Sequence, residues 1–307
     1  MLKVLGIMPV SIGGRLTTSS ILDGFRLLGH NVIVYDELKD SYTFSDEYDL
    51  IVGYDFSPIK IKKDFGLTMK CICYFSDEIR NRTSGPNWKE LLPELYKDDN
   101  YVFYWDRELI KQENFNNLFY LPHFVNTNIY KDYCLPSECD VMFAGRLDTD
   151  YRLNMIVNLV ESMNIKFRWY AIERHYKDAL LRVDNKETIK QIYSGFIDNE
   201  QDMAEAINKT KIVINMNSQG ISSLNYRTMQ TLACGKLLIS DKRGELDLFD
   251  NILPVYNNEE SLKKMINYYL YNYDAYKSIT EFCQNRCIEK YNSVSGVMYM
   301  LDKLAYG

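Results

Sequence analysis

The sequence predicts an α/β protein built from two doubly wound units in tandem that face each other across a cleft. Three observations carry that reading. Short apolar runs alternate with stretches of helical spacing, the pattern that yields a parallel sheet with helices on both faces. The alternation runs once to about residue 130 and then restarts. From about Glu259 it gives way to a helical tail rich in tyrosine.

Bulk properties fit that class. A chain of 307 residues buries a large core, and its length favours two domains over one. Hydrophobic residues make up 46% and charged residues 25%, as in ordinary globular proteins. No apolar run approaches the roughly 18 residues that span a bilayer, so stable membrane insertion is not expected. "MLKVLGIMPV" is too short for a signal peptide, and a cytoplasmic location is the expectation. The net charge of −6 argues against a nucleic-acid partner while leaving a local basic groove open. The seven cysteines show no C-x2-C pairing and read as small buried thiols in a reducing compartment.

Each element follows from its residues. "LKVLGIMPV" is a first strand, and "LTTSSILDGFRLLGH" carries apolar residues at helical spacing. "NVIVYD", "YDLIVGYD", "MKCICYFSDE" and "NYVFYWD" are further strands, and "NLFYLPHFV" closes the first unit. A hinge falls near Lys131–Glu138. "CDVMFAGRL" then opens the second unit and leads into the helix "DYRLNMIVNLVESM". "IKFRWYAI", "KIVINMN" and "KLLISD" supply its other strands, with "EQDMAEAINKT" and "NYRTMQTLA" as helices between. The boundaries expected are 1–130, 131–285 and a terminal helix over 286–307.

In such sheets ligands sit at the carboxyl ends of strands, so the loops there are the candidates. "PVSIGGRLTTSS" offers Gly13, Gly14 and Arg15 as a tight turn that admits a ligand before a helix start, or as a plain strand-to-helix turn. It lacks the G-x-G-x-x-G spacing of a dinucleotide site. "FAGRLDTDYR" places Gly145, Arg146 and Arg152 at a strand mouth, where two guanidinium groups suit a diphosphate. Its Asp148-x-Asp150 pair reads as helix capping ahead of metal binding. "NMNSQGISSLNYRTMQTLACG" sets Ser222 and Ser223 before a helix, with Gln230 one turn on to meet a ribose; a capped helix with a satisfied glutamine is the plain alternative. Asp77 is the best-placed carboxylate for a general base, and His123 is a candidate for acceptor contact or a turn histidine.

These loops, in this order, resemble the GT-B glycosyltransferases, most closely their group 1 branch with its spore-maturation-protein-like (CgeB-like) subgroup. The residues that carry the likeness are "PVSIGG…LLGHNVIVYD", "YLPHFVNTNIYK", "DVMFAGRLDTDYR" and "KIVINMN…NYRTMQTLACGKLLISD". The resemblance implies two Rossmann-like domains, an acceptor-side loop at Gly13–Arg15, and a nucleotide-sugar donor held mainly by the second domain. Gly145, Arg146, Arg152, Ser222, Ser223, Asn225, Arg227 and Gln230 would then line the donor site. It further implies a UDP- or GDP-sugar as substrate with no cofactor and no metal, retention, and a C-terminal helix that crosses back. Gln230 stands where the family has glutamate, and Tyr151 stands where it has a basic residue.

The leading expectation is therefore sugar transfer from a nucleoside diphosphate to a hydroxyl acceptor, whether glycan, lipid, protein or modified base. The alternative is an inactive relative that serves as a binding or scaffold subunit. A dinucleotide oxidoreductase is disfavoured because the glycine pattern and its paired acidic residue are missing.

Overall fold

The computed structural model describes residues 1–40, 44, 47–76, 88–113, 116–217 and 220–306. Its strands are β1 (Lys3–Met8), β2 (Asn31–Asp36), β3 (Leu50–Tyr54), β4 (Lys70–Phe75), β5 (Asn100–Tyr104) and β6 (Leu118–Tyr120), then β7 (Cys139–Ala144), β8 (Phe167–Tyr170), β9 (Thr210–Asn215), β10 (Leu237–Asp241) and β11 (Val255–Tyr256). The helices are α1 (Ile12–Leu27), α2 (Ser57–Asp64), α3 (Trp88–Leu91), α4 (Arg107–Ile110), α5 (Asp150–Ser162) and α6 (Glu173–Arg182), followed by α7 (Lys186–Ile192), α8 (Glu200–Asn208), α9 (Tyr226–Ala233), α10 (Glu259–Tyr271), α11 (Lys277–Lys290) and α12 (Ser293–Tyr306).

Two wholly parallel sheets result, ordered β2-β1-β3-β4-β5-β6 and β11-β10-β9-β7-β8. The inner strands are covered on both faces, which is why "LIVGY" and "KIVIN" read as continuous apolar runs without alternation. Each sheet reverses its winding once. In the first, β1 lies between β2 and β3; in the second, β7 lies between β8 and β9. Loops leaving the carboxyl ends of the strands at a reversal splay to opposite faces and leave a crevice.

Each sheet packs its own core. In the first, Ile21 and Phe25 of α1 are fully buried against the sheet, each stabilising by about 1.5–3 kcal/mol. In the second, Trp169 fills the space beside β7, and its indole Nε1 donates to the Gly145 carbonyl at 2.9 Å. The chain crosses between units at two adjacent places. Val125 pairs with Asn292 as neighbouring strands do, with the Val125 amide on the Tyr291 carbonyl and the Ser293 amide on the Val125 carbonyl. After the return crossing, α12 lies along α1 of the first unit.

The start of α1 differs from the sequence reading. Gly13 and Gly14 lie inside the first helical turn rather than in a loop, since Pro9–Ser11 already make the corner. Gly14 serves close packing: a Cβ there would sit 2.6 Å from the Tyr54 ring.

Candidate active site

A cavity of about 680 Å³ opens where the two sheet reversals face each other. From the first unit it is lined by Ser11, Ile12, Gly13, Gly14, Tyr54, Ser76, Trp105 and His123. From the second come Gly145, Arg146, Arg152, Arg174, Asn217, Ser223, Asn225, Tyr226, Arg227 and Gln230. All four cationic residues lining it therefore belong to the second unit, among the described residues.

Arg152 is the most rigidly held of the four. Thr149 caps α5 by accepting the Arg152 amide at 3.3 Å, which turns the side chain back over the strand mouth. Its guanidinium then donates to the Arg146 carbonyl and to Asp148 Oδ1, both at 3.2 Å, and to the Met216 carbonyl. Arg146 is half exposed and loosely paired with the same Asp148 at 3.6 Å. The second aspartate of the D-x-D, Asp150, is paired with Arg182 at 2.7 Å. Arg174 opens α6 beside Arg146, and both cations bear on His175, whose pKa falls through burial first and their charges next.

Arg227 is a different kind of cation. Its Nε and Nη1 are shut off from solvent and have no hydrogen-bond partner among the described residues. Burial pulls its pKa down. Gln230, one turn further along α9, is fully buried and donates its side-chain amide to the Tyr130 hydroxyl. Its carbonyl Oε1 has no partner among the described residues, and the residue borders the cavity. Both side chains thus present unsatisfied polar atoms at one wall, a costly arrangement unless a ligand completes it.

A network of asparagines fixes α9 against the sheet. Asn225 caps the helix, accepting the Thr228 amide at 3.1 Å, and its own amide donates to Asn215. Asn217 is tied to Asp241 at 2.7 Å, and Arg243 braces the loop through the Gly220 and Asn217 carbonyls. Ser223 borders the cavity, but Ser222 turns away from it. The amides of Ile221, Ser222 and Ser223 all donate to Asp106 of the first unit, so they are not free to grip a phosphate. That corrects the sequence reading of this loop, and the reason is a carboxylate from more than a hundred residues away.

The first-unit candidates divide. Asp77 lies outside the described residues, although Ser76 just before it borders the cavity. His123 reaches the cavity, its Nδ1 3.3 Å from the Tyr74 hydroxyl and its ring edge-on to Tyr226. Burial lowers its pKa to about 3, so at neutral pH it is an uncharged hydrogen-bonding group and a very weak base. Arg15 points away from the cavity, held by Asp36 at 2.5 Å and the Pro9 carbonyl at 3.1 Å. That bond holds the Asp36 carboxyl near 2. Trp105, Tyr54, Tyr226 and Arg174 are not among the residues the sequence singles out: Tyr54 ends β3, Trp105 follows β5, Arg174 lies in the first turn of α6, and Tyr226, though inside the "NYRTMQTLACG" segment, reads as an ordinary helix residue.

A family model described as "Glycosyl transferase-like" matches residues 152–302, just under half of the chain. No curated protein sequence matches it. Among solved structures, sucrose-phosphate synthase from Thermosynechococcus elongatus superposes with a TM-score of 0.72 at 10% identity, covering 100% of this chain and 99% of that one. HepE from Anabaena, in complex with UDP-glucose, gives 0.70 at 12% identity with both chains fully covered, 100% each. An alpha-glucosyltransferase in complex with UDP and a 13-mer DNA gives 0.71 at 14% identity, covering 99% of this chain and 100% of that one. At such identities the likeness is one of fold, and function has to be argued from the site.

Proposed function

We propose that this chain, a GT-B protein whose residues 152–302 match a glycosyl transferase-like family, transfers a sugar from a nucleoside diphosphate to a hydroxyl acceptor. The observation that carries the reading is the one-sided charge of the cavity. Arg146, Arg152, Arg174 and Arg227 line the second-unit wall, and the first-unit wall is neutral among the described residues. A leaving diphosphate gains negative charge as the bond from its oxygen to the anomeric carbon breaks. Fixed cations in a site shielded from water stabilise that charge more than they stabilise the intact donor. Gln230 Oε1 suits a ribose hydroxyl, because it is an acceptor held in place through Tyr130.

The acceptor oxygen would enter from the first-unit wall, where neutral His123, Ser76 and Tyr54 offer hydrogen bonds without charge. Residues 1–130 hold 14 Lys and Arg against 18 Asp and Glu, which favours an acceptor other than nucleic acid. The UDP and UDP-glucose held by structural relatives support a UDP-sugar donor. The arginines supply charge compensation that needs no metal ion. Membership of the spore-maturation-protein-like branch, and with it retention, rests on the "NYRTMQTLACG" segment. Arg227 Nε and Nη1 and Gln230 Oε1, unpartnered among the described residues, favour a working transferase over an inactive scaffold.

The test is thermal shift against nucleoside diphosphates and their sugars, since a ligand that binds the folded state alone raises the melting temperature. One nucleotide should raise it selectively, and Arg152→Ala should abolish the rise. A well-folded protein that responds to none of them would overturn the donor assignment.

A further inference from the structure

The carboxylate of Asp106 is fully buried at the junction of the two units and receives six hydrogen bonds. On its own side it caps α4, taking the amides of Glu108 at 2.9 Å and Leu109 at 3.0 Å on Oδ1. From the second unit, the amides of Ile221, Ser222 and Ser223 converge on Oδ2 at 2.7, 3.0 and 3.0 Å. The Ser222 hydroxyl adds a bond to Oδ1 at 3.0 Å. Successive amides converging on one oxygen form an anion nest, the kind of feature that elsewhere holds a phosphate. Here the nest is filled by the protein's own anion.

The junction is built around that seat. Gly220 has φ +73, and a Cβ on it would fall 2.6 Å from Asp106 Oδ2 and 2.2 Å from Ser223 Oγ. Next along, Arg107 grips Asp247 of the second unit with two bonds at 2.8 and 3.1 Å, and its amide donates to Glu245 at 2.8 Å. Trp105 on one side of Asp106 and Ser223 on the other both border the cavity. Across the cavity, Tyr226 of α9 meets Ser20 of α1 at 2.6 Å. The cleft is thus bridged at two places, and residues 221–226, which lead into α9, connect them.

We propose that Asp106 is an interdomain latch and a positioning residue. By filling the nest it fixes the 220–223 loop, and through that loop it sets Asn225, Arg227 and Gln230 of α9 at the cavity wall. The part of the proposal that concerns ligand affinity rests on the donor-site reading above; the latch itself does not. Burial pushes the carboxyl up, but the amides of Leu109, Ser223, Ser222 and Ile221 outweigh it and hold it near 2, so the latch stays ionised across the working range.

The experiment is hydrogen exchange by mass spectrometry on the full chain, comparing wild type with Asp106→Asn, together with UDP affinity by calorimetry. An asparagine turns one oxygen into a donor that faces amide donors, so the nest empties. Amides 221–223 should exchange at least tenfold faster while β3, β4, β9 and β10 are unchanged, and UDP should bind at least fivefold more weakly. Ser222→Ala, which leaves the three amides in place, should show a smaller effect on both readouts. Should Asp106→Asn fail to fold, Asp106→Glu gives the same exchange readout with the charge kept. Unchanged exchange at 221–223, or equal acceleration throughout the chain, would overturn the latch. The local exchange effect in Asp106→Asn, together with a wild type that binds no nucleotide, would overturn the donor reading alone.

Discussion

A buried guanidinium without a partner destabilises the fold that holds it, because the charge has left water and gained nothing in return. Arg227 is in part such a group: the residue is half-buried, and its Nε and Nη1 are shut off from solvent and unpartnered among the described residues. Arg227→Met keeps the length and apolar contact of the side chain and removes the charge. The unliganded variant is expected to melt about 2–4 °C higher, for a gain of roughly 1 kcal/mol, and to lose the nucleotide-dependent shift. A lower melting temperature in the unliganded variant would mean that the guanidinium is paired within the fold. At this scale the sequence disclosed Arg146, Arg152, Arg227 and Gln230, because each lies within a few residues of a strand end or a capped helix start. It did not disclose Arg174, which opens a helix whose N-cap, Ile172, has no capping side chain. Nor did it show where the Ser222 and Ser223 amides point, since their partner is an aspartate of the other unit.

Among the elements, the crossing of α1 and α12 is unusually close, and Gly24 permits it. A Cβ on Gly24 would fall 2.3 Å from the Ser293 carbonyl oxygen and 2.6 Å from Val297. In a free-standing helix Gly→Ala stabilises by about 1 kcal/mol. At Gly24 the sign should invert, because backbone cannot move aside as a side chain does, and overpacking costs about 1–3 kcal/mol. Gly24→Ala is therefore expected to melt at least about 2 °C lower; a rise would refute the close crossing. The strands and most helices were legible from apolar runs and spacing. The glycine pair at Gly13 and Gly14 misled, because Gly-Gly reads as a loop when its neighbours are unknown. In the structure Gly14 is needed for the Tyr54 ring that packs on it.

At the scale of the whole molecule, a buried glutamate, Glu245, and a half-buried one, Glu200, stand at the junction of the units. Burial raises Glu245 to about 7, with the Arg107 amide opposing and the charge of Asp106 adding to the rise. Burial likewise raises Glu200 to about 7, against its bond to Tyr226. Both start from an ordinary 4.5, so the unfolded chain releases these protons before the folded one does. Stability from these groups is complete below pH 4.5 and falls as pH rises towards 7, with no further loss above. Asp36 and Asp106, held near 2 from 3.8, act in the opposite sense and lose their contribution only as pH falls below 3.8. The melting temperature is expected to be higher at pH 5 than at pH 8, and Glu245→Gln to flatten that slope. Equal melting temperatures for wild type at the two pH values would refute the raised carboxyls.

The sequence by itself determined the class of the protein: two parallel α/β units, their cleft, and the arginine-bearing loops of the second. Those features are local, set by apolar runs, capping residues and cations at strand ends, and nearest neighbours in the chain suffice to read them. Tertiary structure alone decided which of those groups face the cavity. Asp106 takes the loop amides, Tyr130 takes the Gln230 amide, Asp36 takes Arg15, and burial keeps His123 neutral. Each outcome depends on a partner far along the chain or on exclusion of water, and both are properties of packing that no short stretch of sequence contains.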